Sequence, residues 1–374
     1  MAVKIVEVQT KKDLKKWVDF PNKLYKDVEA YVPFLFSDEM ATFTKEKNPA
    51  YEFCETKLFL AYIDKEIVGR IGALINHAAN EKWNTNIIRF TRFDFVDNYD
   101  VSKALFDEVI KWGKERGYTK VMGPIGFTDM DHEGMLIEGF DELNMSITFY
   151  NHPYYIKHME KLGLGKEVDW VEHELTVPKE HDPKFVKMSN YLQNRNGYKV
   201  VTYKSRKELM EEAKVAFKVI DVAMSKLFGT VPLTEEVIDK AIADYISVVN
   251  LKYICSIKDK NDNLIGFAAL VPSIAKALKK SNGRMLPLGI FRLLKALRFK
   301  NEKLECFFIA VDPESQKKGV PAIIINQIMK MCIENGIKVC ETGPQLETNC
   351  DVQNLWKGFK TRQIKRRRCW SKEL

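Results

Sequence analysis

Two long stretches of the chain lay out the same local patterns in the same order, and this repeat constrains the fold more than any other feature. Glu7–Leu14 runs from a strand signal into a helix signal, and Val201–Leu209 does the same. An apolar hairpin follows each: Leu58–Ile63 turning at Asp64-Lys65 into Ile67–Ile71, and Tyr253–Ile257 turning at Asp259–Asn263 into Leu264–Phe267. A third strand then ends Phe93-Asp94-Phe95-Val96-Asp97 in one stretch and Phe308-Ile309-Ala310-Val311-Asp312 in the other. Helices with apolar faces come next, carrying Leu105, Val109 and Trp112 or Val320, Ile323, Ile324, Ile328, Met331 and Cys332. Both stop at a glycine, Gly117 and Gly336, and both lead to a strand ending in Gly-Pro, Gly123-Pro124 and Gly343-Pro344. The order β, α, β-hairpin, β, α, β in each half predicts a mixed α/β (α+β) protein made of two copies of one domain, 1–179 and 180–374. The seam falls near Val177–Asp182, where Pro178 and Pro183 bracket a polar run.

The copies are unlike in charge. The 374-residue chain has a formal net charge of +8, but residues 1–180 carry 24 Lys and Arg against 31 Asp and Glu, a balance of −7. Residues 181–374 carry 35 against 20, a balance of +15, so an anionic ligand is sought in the second half. With 45 % hydrophobic and 29 % charged residues the chain is globular. Its apolar runs, such as Leu286–Phe291 and Pro321–Ile325, are shorter than a membrane span. Seven scattered cysteines without a Cys-x-x-Cys favour free thiols, and no signal-peptide core opens the chain, so a cytoplasmic protein is expected. All six histidines lie at or before His181, there is no Walker or dinucleotide fingerprint, and the Asp129–Glu133 run lacks a diagnostic ligand spacing. That run reads as an acidic loop, and no metal is expected.

The copies also differ in one loop. Asp312 to Gly343 spans 31 positions and Asp97 to Gly123 only 26, the difference falling between the third strand and its helix. In the second copy this connection reads Pro313-Glu314-Ser315-Gln316-Lys317-Lys318-Gly319-Val320-Pro321. A strand, a loop with a glycine and two lysines, and an apolar helix suit a phosphate held by the unpaired first-turn amides; a solvated loop before an ordinary helix start is the alternative.

Gln316-Lys317-Lys318-Gly319-Val320-Pro321 resembles the Gln/Arg-x-x-Gly-x-Gly/Ala pyrophosphate loop of the GNAT-type N-acetyltransferase superfamily, with Pro321 and then Ala322 where Gly or Ala is usual. Asn349-x-x-Val352-x-x-Leu355-Trp356 before Gly358-Phe359 is similar to a later signature of that family, Trp356 standing where a thiolate-protonating tyrosine is frequent. The first copy keeps a related tail, Asn151–Tyr155 to Glu160–Gly163, but has only Asn98-Tyr99-Asp100 in place of the loop. The layout looks like that of tandem two-domain bacterial members, with a degenerate first domain.

The resemblance implies acyl transfer from acetyl-CoA, or a longer acyl-CoA, to an amine within a ternary complex. Ala310 and Val311 would grip pantetheine through their backbone. Gln316, Lys317, Lys318, Gly319, Val320, Pro321 and Ala322 would form the pyrophosphate loop, with Asn349 and Trp356 in the later signature. Glu341 is the candidate base, with Glu305 and Glu347 behind it; a salt-bridged glutamate is the alternative reading of Glu341. Tyr154 and Tyr155 would line the acceptor site if the domains face each other, although tyrosines after a proline are more often simply packed; the Asp129–Glu133 run would border that site. The acceptor is a small-molecule or protein amine, and a homodimer is compatible with this layout.

Residues Lys276–Lys300 form an insertion with eight Lys or Arg and no acid. From Ile290 its apolar residues recur at helical spacing, with Arg292, Lys295 and Arg298 among them, so 286–298 reads as a basic amphipathic helix suited to peripheral contact with an anionic membrane, to covering an acyl chain, to docking on nucleic acid, or to packing on its own domain with a solvated basic face. Lys365–Arg368 reads as a terminal strand with alternating exposed charges or as a contact to the CoA 3′-phosphate. Two other functions compete: a Fem-type transferase that takes aminoacyl-tRNA, and a non-catalytic membrane- or partner-binding protein. Nucleic acid is not expected as a partner of the leading reading.

Overall fold

The computed structural model describes residues 2–299, 301–356 and 358–374, so Lys300, the end of the basic insertion, lies outside the described residues. Fourteen strands form one mixed sheet. The first half supplies β1 (Val3–Glu7), β2 (Cys54–Ile63), β3 (Glu66–Asn76), β4 (Ile87–Phe95), β5 (Lys120–Gly123), β6 (Met135–Glu138) and β7 (Gly165–Thr176). The second supplies β8 (Lys199–Val201), β9 (Ile254–Lys258), β10 (Leu264–Pro272), β11 (Lys303–Val311), β12 (Val339–Thr342), β13 (Gln345–Leu346) and β14 (Thr361–Glu373). Across the sheet the order is β1-β2-β3-β4-β5-β14-β7-β12-β11-β10-β9-β8, with β6 on β14 and β13 on β7.

The repeat is visible in the elements. The hairpins β2-β3 and β9-β10 correspond, as do the parallel pairs β4·β5 and β11·β12, each joined by a crossover helix, Tyr99–Glu115 or Val320–Glu334. Both helices end alike. Gly117 and Gly336 adopt φ of 78° and 69°, and the next residue's amide bonds back into the last turn, Tyr118 N to Gly113 O and Ile337 N to Cys332 O, each at 2.9 Å. That left-handed conformation explains the glycine at both sites. From Phe95 to the helix start at Tyr99 is four positions, and from Val311 to Val320 nine, which places the five-residue difference in the expected loop.

Each half of the sheet is covered on both faces. The Tyr99–Glu115 helix packs Val101, Leu105 and Val109 against Ile71, Ala73 and Ile88, while Leu14, Trp17 and Val18 of the Lys11–Leu24 helix cover Leu58, Leu60 and Leu74. In the second half the Val320–Glu334 helix covers Cys255, Ala268 and Leu270, and the Arg206–Met224 helix covers Ile254, Phe267 and Ala269. Several helices, among them Phe36–Thr42, His77–Trp83 and Glu235–Val248, have no counterpart in the sequence reading, and one of these lies at the seam. Pro183–Asn196, started by the Asp182 side chain accepting from Lys184 N at 2.9 Å, follows the seam directly.

The halves exchange their last strands. β14 pairs with β5 of the first half, Trp370 opposite Gly123 and Glu373 opposite Lys120, and on its other edge with β7. β7 in turn pairs with β12, Val339 opposite Thr176. Beneath this crossing runs a buried chain of opposite charges: Lys303 to Glu341, Glu341 to Lys365 at 2.7 Å, Lys365 to Glu172 at 3.6 Å, and Glu172 to Arg367. Arg367 ends it on Asn144 Oδ1 at 2.8 Å. On the opposite face Arg366 and Arg368 pair with Asp169 at 3.2 and 2.8 Å. The exposed-charge and CoA-contact readings of Lys365–Arg368 are therefore corrected: both faces of β14 here meet carboxylates of β7. Burial alone would raise the Glu172 carboxyl; Arg367 and Lys365 beside it hold it below its ordinary range.

A buried pair broken on one side leaves an uncompensated charge. Arg367→Met should therefore cost about 3–5 kcal/mol in urea unfolding. Arg362→Met, which removes solvent-facing pairs with Glu142 and Glu174, should cost about 1 kcal/mol or less.

Candidate active site

β11 and β12 run parallel only from Lys303 opposite Val339 to Cys306 opposite Thr342. Beyond that rung β12 ends, while β11 continues to Val311 with β10 still on its other edge. Asp312 N donates to Ile265 O at 2.9 Å, so strand alternation turns the backbone groups of Ala310 toward β10 and those of Ile309 and Val311 toward the opened side. Gln316 Nε2 reaches back to Val311 O at 3.2 Å.

A cleft of about 1400 Å³ opens along this free edge. Of the residues expected to hold a cofactor, Ala310, Val311, Gln316, Lys317, Gly319, Pro321, Ala322 and Asn349 line it. Lys318, Val320, Trp356, Glu341, Glu347 and the buried Glu305 do not. Trp356 is buried in the second core with Nε1 donating to Gln345 Oε1 at 3.2 Å, and Glu347 pairs with Arg366 at 2.9 Å. Gly319 caps the Val320–Glu334 helix at φ 87°, and a Cβ there would come within 2.8 Å of Leu192 Cδ1. In the first turn that follows, the amides of Val320 and Ala322 have no carbonyl available within the helix, and Pro321 has no N–H to leave unpaired. The positive end of the helix dipole and the exposed Lys317 thus face one end of the cleft, an arrangement that binds phosphate. His181, from the seam, also lines the cleft. Its Nε2 is buried without a hydrogen-bond partner among the described residues, and burial lowers its pKa. Sequence reasoning had no signal for it beyond its place between Pro178 and Pro183.

In the first half the matching gap is filled by the chain itself. β4 and β5 part after Arg89 opposite Met122, but Ile125 N then donates to Phe90 O at 3.0 Å. Phe95 N donates to Tyr155 Oη at 2.7 Å, and Tyr154 Oη donates to Phe95 O at 2.6 Å. Tyr155 is fully buried, so the expectation that these tyrosines line an acceptor site is corrected: they occupy the free strand edge. The Tyr99–Glu115 helix start is capped by Asn98 Oδ1, which accepts from Asp100 N at 2.9 Å.

Glu305 stands on β11 one rung before the strands part, opposite Glu341 in register. Both carboxylates are buried, but their settings differ. Glu341 lies between Lys303 and Lys365. Glu305 accepts from Ser146 Oγ at 3.2 Å, while its Oε1 has no hydrogen-bond partner among the described residues. Burial pushes the Glu305 carboxyl up from its ordinary 4.5 to about 7, despite the Ser273 and Ser146 hydroxyls and with a further push from Glu341. Ser146 belongs to the wall of a second cavity, about 270 Å³, between the halves, where Asp131 and His132 face Tyr245 and Phe307. The Asp129–Glu133 run does border this cavity. Its charge is largely spent, however: burial raises Asp131, but Arg92 at 2.7 Å pulls it well below its ordinary range, and burial with Asp129 pushes Glu133 well up. No group among the described residues could hold a metal ion.

The chain aligns along its whole length with a tandem GNAT protein from the clavulanic acid biosynthesis pathway, with a TM-score of 0.57, 11 % identity and coverage of 100 % of this chain and 98 % of that one. This is the tandem GNAT fold. In sequence, protein YghO of Escherichia coli (strain K12) is 25 % identical over 374 residues, 97 % of this chain and 94 % of that protein. A bacterial ceramide synthase of Caulobacter vibrioides is 22 % identical over 300 residues, 80 % of this chain and 77 % of that protein. No protein-family model matches. In GNAT-fold terms the open strand edge, the glycine loop and the crossover helix belong to the second domain, and the first keeps the fold with its slot closed.

An acid whose pKa is raised on folding keeps its proton in the native state while the unfolded chain has lost it, so it withdraws stability as pH rises. Wild type should therefore lose about 3 kcal/mol relative to Glu305→Gln between pH 4.5 and pH 8, measured by urea unfolding across that range.

Proposed function

We propose that the protein is an N-acyltransferase that moves an acyl group from acetyl-CoA or a longer acyl-CoA directly to an amine. One observation carries the reading: an opened strand edge on β11 runs from a phosphate-type helix start at one end to a buried, half-satisfied carboxylate at the other. The loop 316–322 and Lys317 would hold the pyrophosphate, and the open backbone of Ile309 and Val311 would take the pantetheine amides as an added strand does. The thioester would then lie toward the rung where β11 and β12 part. There Glu305, with a pKa near 7, would take the proton that the neutral amine sheds as its nitrogen attacks the thioester carbonyl. The C–S bond would break to release coenzyme A as a thiolate that picks up this proton. The neighbouring Glu341 is poorly placed for the role between two lysines. Glu341 instead helps keep Glu305 basic.

The cavity behind Ser146 would take the acceptor. It adjoins an apolar recess that shares Tyr245, Val271 and Phe307 with it, which favours an amine carrying a hydrocarbon portion. Similarity to a ceramide synthase supports the same class, ceramide being an acyl amide of a long-chain amine. A cytoplasmic location agrees with the buried free thiols; no helix among the described residues is long and apolar enough to cross a membrane.

Calorimetric titration with acetyl-CoA and palmitoyl-CoA tests this. Wild type should bind, Lys317→Glu should bind about tenfold more weakly, and Asn98→Ala at the capped first-half helix should bind like wild type. Absence of binding to wild type would refute the reading. With long-chain amine and acyl-CoA, Glu305→Gln should lower turnover about 10²–10⁴-fold and abolish its rise through pH 7.

A further inference from the structure

The basic insertion folds into two helices, Ala275–Ser281 and Gly289–Arg298. Their inner faces are well anchored. Leu278, Leu293 and Leu297 pack with Val271 and Ile274 of the second half. The connecting loop is tied to the first half: Arg284 pairs with Asp19 at 2.7 Å and lies 3.6 Å over the Phe36 ring, and Phe36 N donates to Gly283 O at 2.9 Å.

The outer face is unlike the rest of the surface. Leu286 is 78 % exposed, Leu288 55 %, Phe291 67 % and Phe299 71 %. Lys295 and Arg298 are exposed beside them, and no acid occurs from 276 to 300. A rigid ledge of large apolar side chains on a folded chain marks a contact surface. Its cations say which kind. Apolar side chains interleaved with Lys and Arg fit a leaflet in which acyl chains lie beneath anionic head groups. A twofold contact with a second copy would set this patch against itself and bring its unrelieved cations together. The ledge also roofs the cavity between the halves, since Ile274 and Leu278 both support it and line that cavity.

We propose that the Met285–Phe299 face is a membrane-docking surface that seats on an anionic leaflet, inserting Leu286, Leu288, Phe291 and Phe299 while Lys295 and Arg298 meet the head groups. It places the acceptor cavity against the bilayer, so that an amphiphilic amine could enter from the leaflet. The docking itself needs no acyl-CoA and stands apart from the transfer chemistry.

Flotation of the full chain with vesicles tests it, comparing equal parts phosphatidylglycerol and phosphatidylcholine with phosphatidylcholine alone. Wild type should float with the anionic vesicles and much less with the neutral ones, and high salt should weaken the association. Leu286→Ser with Phe291→Ser, and separately Lys295→Glu with Arg298→Glu, should each reduce partitioning about tenfold or more, with unfolding midpoints unchanged because these side chains are exposed. Failure of wild type to float, or flotation of both variants like wild type, would overturn the proposal. So would a dimer in sedimentation that the apolar variant dissociates without any vesicle binding. Acyl-CoA titration of the same samples separates this outcome from failure of the transfer reading.

Discussion

The strand exchange at the middle of the sheet, and the buried charges that fix its register, govern the rest of the molecule. β14 leaves the second half to pair with β5, and β7 leaves the first to pair with β12, so neither half completes its sheet alone. A β-strand slipped by one residue turns every side chain to the other face. Here such a slip would take Lys365 and Arg367 away from Glu341 and Glu172 and carry the Arg367 guanidinium off the Asn144 and Phe149 oxygens it reaches.

The same ladder shapes the site. By engaging Glu341 with Lys303 and Lys365, it leaves the adjacent Glu305 with one oxygen unpartnered among the described residues and a pKa of about 7. β12 is short because β13 turns onto β7, Gln345 opposite Val171, and that turn frees the edge of β11. The exchange thus sets both the opening of the cleft and the chemistry at its apex. In the first half the corresponding edge is consumed by Tyr154, Tyr155 and the Ile125 amide just after Gly123, so one fold yields one open slot and one closed slot.

Much of this was legible in the sequence. Hairpins, crossover helices and glycine stops are local, and their repetition at matched positions revealed the duplicated fold and the five-residue loop difference. The loop itself was readable because Gly319 and Pro321 have local conformational meanings. The partners of charged strand residues were not. Lys365–Arg368 reads alike whether its faces meet water or carboxylates, since Glu172 and Glu341 are supplied by strands remote in sequence. For the same reason the sequence places Glu341 ahead of Glu305, whereas Ser146, Lys303 and Lys365, supplied from elsewhere in the fold, favour the opposite order. The Pro183–Asn196 helix goes unread in the sequence because Pro178 and Pro183 together mark the seam, although Pro183 is also a normal first-turn residue.

The central claim is that one half offers an open strand edge to acyl-CoA and the other does not. Hydrogen–deuterium exchange of the full chain with and without acetyl-CoA tests it most directly. The account predicts new protection across Phe307–Ala322 with Phe90–Ser102 unchanged. Protection of Phe90–Ser102, or none in Phe307–Ala322 at saturating ligand, would contradict it.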